Sequence, residues 1–206
     1  MKFDPSKISF SDIHKLMIGS IVPRPIALVS TLSKDGKNNV APFSYFNGVC
    51  SNPPTIMFAP ARRGWDGKEK DTLVNIRDSN EFVINIVSEG FAKKMVKCST
   101  DFDSDVDEFE ISGLTPQPSD KVHPPRVLES KINFECELNQ VVEIGAGDAG
   151  SGFIVIGTVV LFQIDDDVYE DGRILLDKLQ PIGRLAGNYY ARPNDTFEII
   201  RKIKPK

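Results

Sequence analysis

Apart from its single tryptophan, histidine and cysteine are what this sequence has least of. Its three cysteines, Cys50, Cys98 and Cys136, are odd in number and widely spaced, which argues against a disulfide framework and fits a reducing cytoplasm. The two histidines, His14 and His123, stand far apart with no HExxH and no CxxC nearby, so no metal site is expected. Neither histidine has a motif that would make it the base for a nucleophilic serine or cysteine. No apolar run is long enough to span a bilayer, and MKFDPSKISFSD lacks the apolar core of a signal peptide. Acids and bases are interspersed at a net charge of −4, so the basic stripe of a nucleic-acid binder is missing. A Gly/Ser linker is missing too. Residues 1–206 therefore read as one domain, enough chain for one well-buried core.

What is present centres on residues 38–60, NNVAPFSYFNGVCSNPPTIMFAP, which read as strand, long polar loop, strand. The loop gathers Ser44, Tyr45, Asn47, Ser51 and Asn52 and is closed by Pro53-Pro54. Hydroxyls, amides and aromatics held between strands suit a flat polar ligand on a rigid scaffold.

Before it, Ser11 reads as the N-cap of a short helix ending at Gly19, with Ile13, Leu16 and Met17 on one face. Extended backbone at Pro23-Arg24-Pro25 leads into a strand over 26–33, and Asp35-Gly36 signals a primed hairpin turn. A strand over 55–59 follows, then a basic loop over 61–69. A helix over 70–80 comes next, with Leu73, Val74 and Ile76 as its buried side. A strand over 81–87 precedes a helix carrying Phe91, Ala92, Met95 and Val96 at helical spacing. Residues 99–127 are acidic, proline-rich and weakly periodic, and read as a lid, an arm onto a partner, or a solvated excursion.

Two long strands follow, over 132–144 and 153–164. The first alternates, with Glu135, Glu137 and Glu143 on its wet face. The second is apolar on both faces, which calls for covering helices or a subunit interface. Asp171-Gly172 marks another hairpin, and 197–203 a last strand. Strands outnumber helices and are joined by hairpin signals, so the fold class is mainly β, an antiparallel barrel with a few helices.

The glycines at 145, 147, 150 and 152 run from strand to strand with no helix to receive a pyrophosphate, so they are not a dinucleotide fingerprint. A nicotinamide cofactor, if used, binds without a Rossmann domain. Lys70, Asp71 and Thr72 stand where a helix begins, a place that favours phosphate, with Arg62 and Arg63 upstream. Asp71-Thr72 also reads as an ordinary N-cap region with no ligand.

The ordered set RPIALVSTLSKDGKNNVAPFSYFNGVCSNPPTIMF, KDTLVNI, EFVINIV, VDEFEISGL, VHPPRVLES, FECEL and PIGRLAGNYY resembles the flavin reductase-like family, which includes flavoredoxin. The resemblance spans a core of about residues 20–190. It implies an FMN-binding split barrel, a homodimer with FMN at the subunit interface, and electrons drawn from NADH or NADPH through the flavin. Carried over residue by residue, it implies that Ala41, Pro42, Ser44, Phe46 and Asn47 lie beside the flavin ring and ribityl chain, with Ser30 and Thr31 close to the ring. It implies that Ser51, Asn52 and Pro53 close the loop and that Lys70, Asp71 and Thr72 bind near the phosphate. Arg184 and Tyr189 would approach the pocket, in reach of it from the other chain. No side chain is required as a general acid or base, so no catalytic residue is assigned. The resemblance leaves an NAD(P)H-dependent flavin reductase, a flavoredoxin-like carrier reduced by a redox partner protein, or, more distantly, a split barrel that has lost flavin and serves as an interaction module. Ala186-Gly187 stands where many relatives have two glycines, and Cys50 where a non-thiol is usual.

Overall fold

A computed structural model describes residues 1–202. In chain order its elements are α1 (Phe10–Ser20), β1 (Ala27–Leu32), β2 (Asn38–Phe43), β3 (Phe46–Ser51), β4 (Pro54–Phe58), α2 (Asp71–Ser79), β5 (Glu81–Ile86) and α3 (Ala92–Lys97). Then come α4 (Glu108–Ser112), β6 (Pro116–Gln117), β7 (Arg126–Val127), β8 (Ile132–Ile144) and β9 (Gly152–Ile164). The last are β10 (Tyr169–Glu170), β11 (Arg173–Ile174), α5 (Leu176–Leu179), β12 (Gly183–Arg184) and β13 (Tyr190–Ala191).

Seven strands form one sheet in the order β2-β1-β5-β8-β9-β4-β3, with every neighbouring pair antiparallel. Its two edge strands, β2 and β3, are consecutive in the chain, with only Ser44 and Tyr45 between them. Three Cα–Cα steps of about 3.8 Å cannot separate them far, so the sheet must curl until its edges meet. No ladder joins β2 to β3. The barrel is split there. Pro42 is tolerated in β2 because an edge strand need not donate on both sides.

Inside the barrel lie Val29, Phe43, Phe58, Phe82, Phe153 and Val155, and Leu73 and Ile76 of α2 close one end. Phe58 packs on Phe43 and Phe82 at ring-centroid distances of 5.1 and 5.7 Å. Gly157 of β9 is required by this packing, since a Cβ there would stand 2.4 Å from the Phe82 ring. A second apolar layer covers the outer face of β1 and β2, where Leu28 and Val40 meet Met95, Phe109, Leu114 and Val127.

That second layer corrects the reading of residues 99–127. The segment is neither a lid nor a free arm, because its Phe109, Leu114, Val122 and Val127 are buried. Buried Glu135 holds it down: its carboxylate accepts from the backbone N–H groups of Asp120 (3.0 Å), Lys121 (2.6 Å) and Val122 (3.3 Å), and from Gln163 Nε2. Glu135 therefore does not share a wet face with Glu137 and Glu143. Register shifts on either side of residues 136–138 further interrupt the simple alternation of β8.

Other local differences have equally local causes. The N-cap of α1 is Ser9, not Ser11, because Ser9 and Asp12 cap each other: Asp12 N–H donates to Ser9 Oγ and Ser9 Oγ to Asp12 Oδ2. No residue of α1 is buried, and Leu16 and Met17 are exposed. Residues 46–51 are a strand rather than loop. They pair with β4 on one side only, and five of the six are exposed. Of the turns, Asp171 and Gly172 both have positive φ, the primed form. At the β1–β2 turn only Gly36 does, and its N–H bonds to Ser33 C=O within a longer loop. Val74 and Val96 face outward. Residues 197–202 carry no strand, and 203 lies outside the described residues.

Candidate functional site

A cleft opens where β2 runs beside the start of α2. Asn39, Ala41 and Pro42 form its floor, Lys70, Asp71, Thr72 and Arg63 one wall, and residues 98–102 with Glu108 the other.

The start of α2 carries no side-chain cap. Its N-cap is Lys70, whose side chain is a donor and cannot accept from the helix. Leu73 and Val74 N–H turn back to Lys70 C=O at 2.9 and 3.2 Å. Among the described residues, the N–H groups of Asp71 and Thr72 have no acceptor. Two free donors on a helix start, beside an ammonium, favour an anion. Neither Asp71 nor Thr72 is the N-cap, and no side chain caps this helix start. The Asp71 carboxylate is held by Arg63 Nη2 at 2.7 Å and Lys70 Nζ by Asp101 at 2.6 Å, so each cation enters the cleft already paired.

Behind this wall runs a buried polar chain. Asn39 Oδ1 accepts from Thr72 Oγ1 (2.9 Å) and Thr31 Oγ1 (3.1 Å), and Thr31 Oγ1 accepts from Asn75 Nδ2 (3.1 Å). Asn39 Nδ2 donates to Glu108 Oε1 at 2.8 Å, and Val40 N–H, on the edge strand, donates to Glu108 Oε2 at 3.2 Å. Burial, with Asp71 adding repulsion, pushes the Glu108 carboxyl up to about 7, against the pull of these donors. Its neutral form is the one folding favours. That stability is complete below the ordinary 4.5 and is lost as pH rises through about 7.

The residues singled out from sequence fall into distinct places. Ala41, Pro42, Lys70, Asp71 and Thr72 share the cleft. Ser44 sits at the split, its hydroxyl accepting from Arg24 Nε at 3.2 Å. Buried Arg24 also donates to the carbonyls of Ile18, Ile21 and Leu185, and its backbone pairs with Arg184. Burial, first of all, and the nearby Arg184 depress its pKa, with Tyr45 opposing. Arg184 lies over the Tyr190 ring at 4.6 Å, and Tyr189 is exposed. Asn47, Ser51, Asn52 and Pro53 lie on exposed β3 and its turn, outside the cleft, and Phe46 packs against the core.

Ser30 and Thr31 need correction, since both are buried and neither lines the cleft, whereas Thr72, also buried, does. Ser30 points to the outer face of β1, donating to Pro125 C=O and accepting from Asn85. Thr31 supports Asn39 from behind. Thr72 likewise spends its proton on Asn39, leaving only its backbone N–H for an anion.

Sequence reasoning missed Asn39, Asp101 and Glu108. Asn39 stands inside the central stretch, and residues 101–110 are visibly acidic, but nothing local indicates that Glu108 folds onto a strand 68 residues away.

With this geometry in view, the matches to known proteins are informative. The family described as "Flavin reductase like domain" matches residues 18–184. The chain belongs to the flavin reductase-like family. The structure of nitrilotriacetate monooxygenase component B from Bacillus cereus superposes with a TM-score of 0.92 at 36% identity, covering 97% of this chain and 98% of that one. That of 2-nitrobenzoate 2-nitroreductase NbaA from Pseudomonas fluorescens gives 0.87 at 31%, covering 98% and 96%. An Aquifex aeolicus protein described only as uncharacterized is 39% identical over 193 residues, 93% of this chain and 95% of its own length. The mainly β, split-barrel fold expected from sequence is the fold of this family. No helix among the described residues is long and apolar enough to cross a membrane.

Proposed function

We propose that this protein binds FMN, with the phosphate at the start of α2 and the ring toward the split between β2 and β3, and that it reduces the flavin with NADH or NADPH in the cytoplasm. The observation that carries this is the pair of free N–H groups at Asp71 and Thr72 beside Lys70, in a chain of the flavin reductase-like family. When bound, the flavin supplies the hydride-accepting chemistry, and the protein supplies binding, orientation and electrostatics. Lys70 and the two N–H groups hold the phosphate end. Ala41 and Pro42 shape the floor, while Arg24 fixes Ser44 at the split.

Anaerobic addition of NADH or NADPH to the FMN-loaded protein tests the activity. Bleaching of the flavin band is expected without any added protein. Bleaching by dithionite but by neither nicotinamide at millimolar concentration would instead favour a carrier served by a redox partner protein.

The working form is proposed to be a homodimer. In β9, Phe153, Val155 and Val159 are buried, whereas Ile154, Ile156, Val160 and Phe162 on the other face are not. Exposed Val49 on β3 and the unburied apolar residues of α1 add surface of the kind partners cover. Light scattering at micromolar concentration should give twice the 22.9 kDa chain mass. A mass near one chain sinks the dimer.

A further inference from the structure

We infer that Glu108 makes anion binding in the cleft proton-linked: an anion seated at the start of α2 draws a proton onto Glu108, and raising the pH through the neutral range loosens it. This rests on the reading that the FMN phosphate binds there.

The geometry carries the inference. Glu108 is a buried carboxyl lining the same cleft as Lys70, Asp71 and Thr72, and one side-chain amide, that of Asn39, separates it from Thr72. Among the described residues no lysine or arginine pairs with it. The charged and titratable groups around it can be named element by element. Glu108 also lines a second cavity, whose further groups are Lys34, Asp35 and Lys37 of the β1–β2 turn, Asp78 of α2, which pairs with Lys34, and Asp105 before α4. From the start of α2 comes Asp71, paired with Arg63. Across the cleft are Lys70 and Asp101, paired with each other. From α3 comes Cys98, whose thiol burial pushes up to about 11, with Glu108 adding to the rise and Lys97 opposing it. On its own helix Asp107 turns to Asn38 and to Phe109 N–H. From β2 come only the Asn39 amide and Val40 N–H.

The charges of Arg63, Lys70, Asp71 and Asp101 cancel. Glu108 therefore decides whether the cleft is neutral or carries one negative charge. Ionised, it repels an incoming phosphate across a low-dielectric wall; protonated, it does not. Its carboxyl sits near 7, so that choice falls in the neutral range. Neutralising it keeps the support of Asn39, because a carboxylic acid retains a carbonyl oxygen for one of its two donors.

Calorimetric titration of FMN into the protein, in two buffers of different ionisation enthalpy, reads the protons directly. If the phosphate raises the Glu108 pKa by about one unit, binding at pH 8 takes up about 0.4 proton. Over the same shift, wild-type FMN affinity falls about fivefold from pH 6 to pH 8 relative to Glu108→Gln. The FMN phosphate itself is almost fully ionised above pH 7, since its second pKa lies near 6, and it cannot supply this uptake. Riboflavin, lacking the phosphate, should exchange no proton. Zero uptake with FMN at pH 8, or equal uptake with riboflavin, overturns the inference even if Glu108→Gln fails to fold. FMN that binds with parallel pH profiles in wild type and Glu108→Gln overturns it while leaving the proposed function standing. FMN that does not bind at any pH overturns both.

Discussion

Replacing Glu135 by leucine should lower the free energy of unfolding by about 3 kcal/mol and Tm by roughly 10 °C for a chain of this length. The carboxylate is fully buried and accepts from three successive backbone N–H groups, those of Asp120, Lys121 and Val122, and from Gln163. Exchanging a complete buried ion pair for apolar side chains can be nearly neutral. Here the partners are main-chain donors, which no substitution of Glu135 removes. Each buried donor left without an acceptor costs about 1–3 kcal/mol, and those of Asp120 and Lys121 can regain water because their residues are exposed. Glu135→Gln keeps one oxygen and should lose about half as much. Amide exchange at 120–122 should quicken before the rest of the sheet. Chemical denaturation showing a loss under about 1 kcal/mol, with unchanged exchange there, would mean that residues 114–127 are held by apolar packing alone.

Glu135 also shows where the sequence stops being legible. The thirteen-residue strands β8 and β9 could be read almost to the residue, because alternation and apolar runs of that length fit little besides long paired strands. The helix at 71–79 was readable from its start signals and its Leu73–Ile76 face. Alternation alone, however, placed Glu135 in water. Its burial depends on backbone donors about fifteen residues earlier that fold back over the sheet. The same kind of non-local contact hid Glu108 from Asn39 and turned Ser30 toward Pro125. The strand at 46–51 was missed for the opposite reason. An edge strand whose residues face outward carries a loop's composition. Of the candidate site residues, the Lys70–Thr72 and Ala41–Pro42 segments come together in one cleft because local backbone, a helix start and an edge strand, places them there. Side-chain duties were assigned less well, since Thr31 and Thr72 turned out to serve Asn39.

That distinction sets the test of the proposed phosphate site. Lys70→Gln should weaken FMN binding ten- to a hundredfold, since a hydrogen bond from a charged group contributes about 1.5–3 kcal/mol and 1.4 kcal/mol is a factor of ten. Riboflavin should change by less than about threefold. A frayed helix cannot imitate this result, because Lys70 makes no side-chain cap whose loss would unwind α2. Its removal does leave Asp101 without its partner at 2.6 Å, and an unpaired carboxylate would repel phosphate on its own. The double variant Lys70→Gln/Asp101→Asn separates the two effects: it removes that repulsion but not the missing donor, so part of the FMN-specific loss should persist. Thr72→Val is the contrasting case. Its hydroxyl already donates to Asn39, so its loss should cost about 1 kcal/mol of stability and affect FMN and riboflavin alike. Equal losses for both flavins in Lys70→Gln, or full recovery of FMN binding in the double variant, would remove Lys70 from the phosphate site.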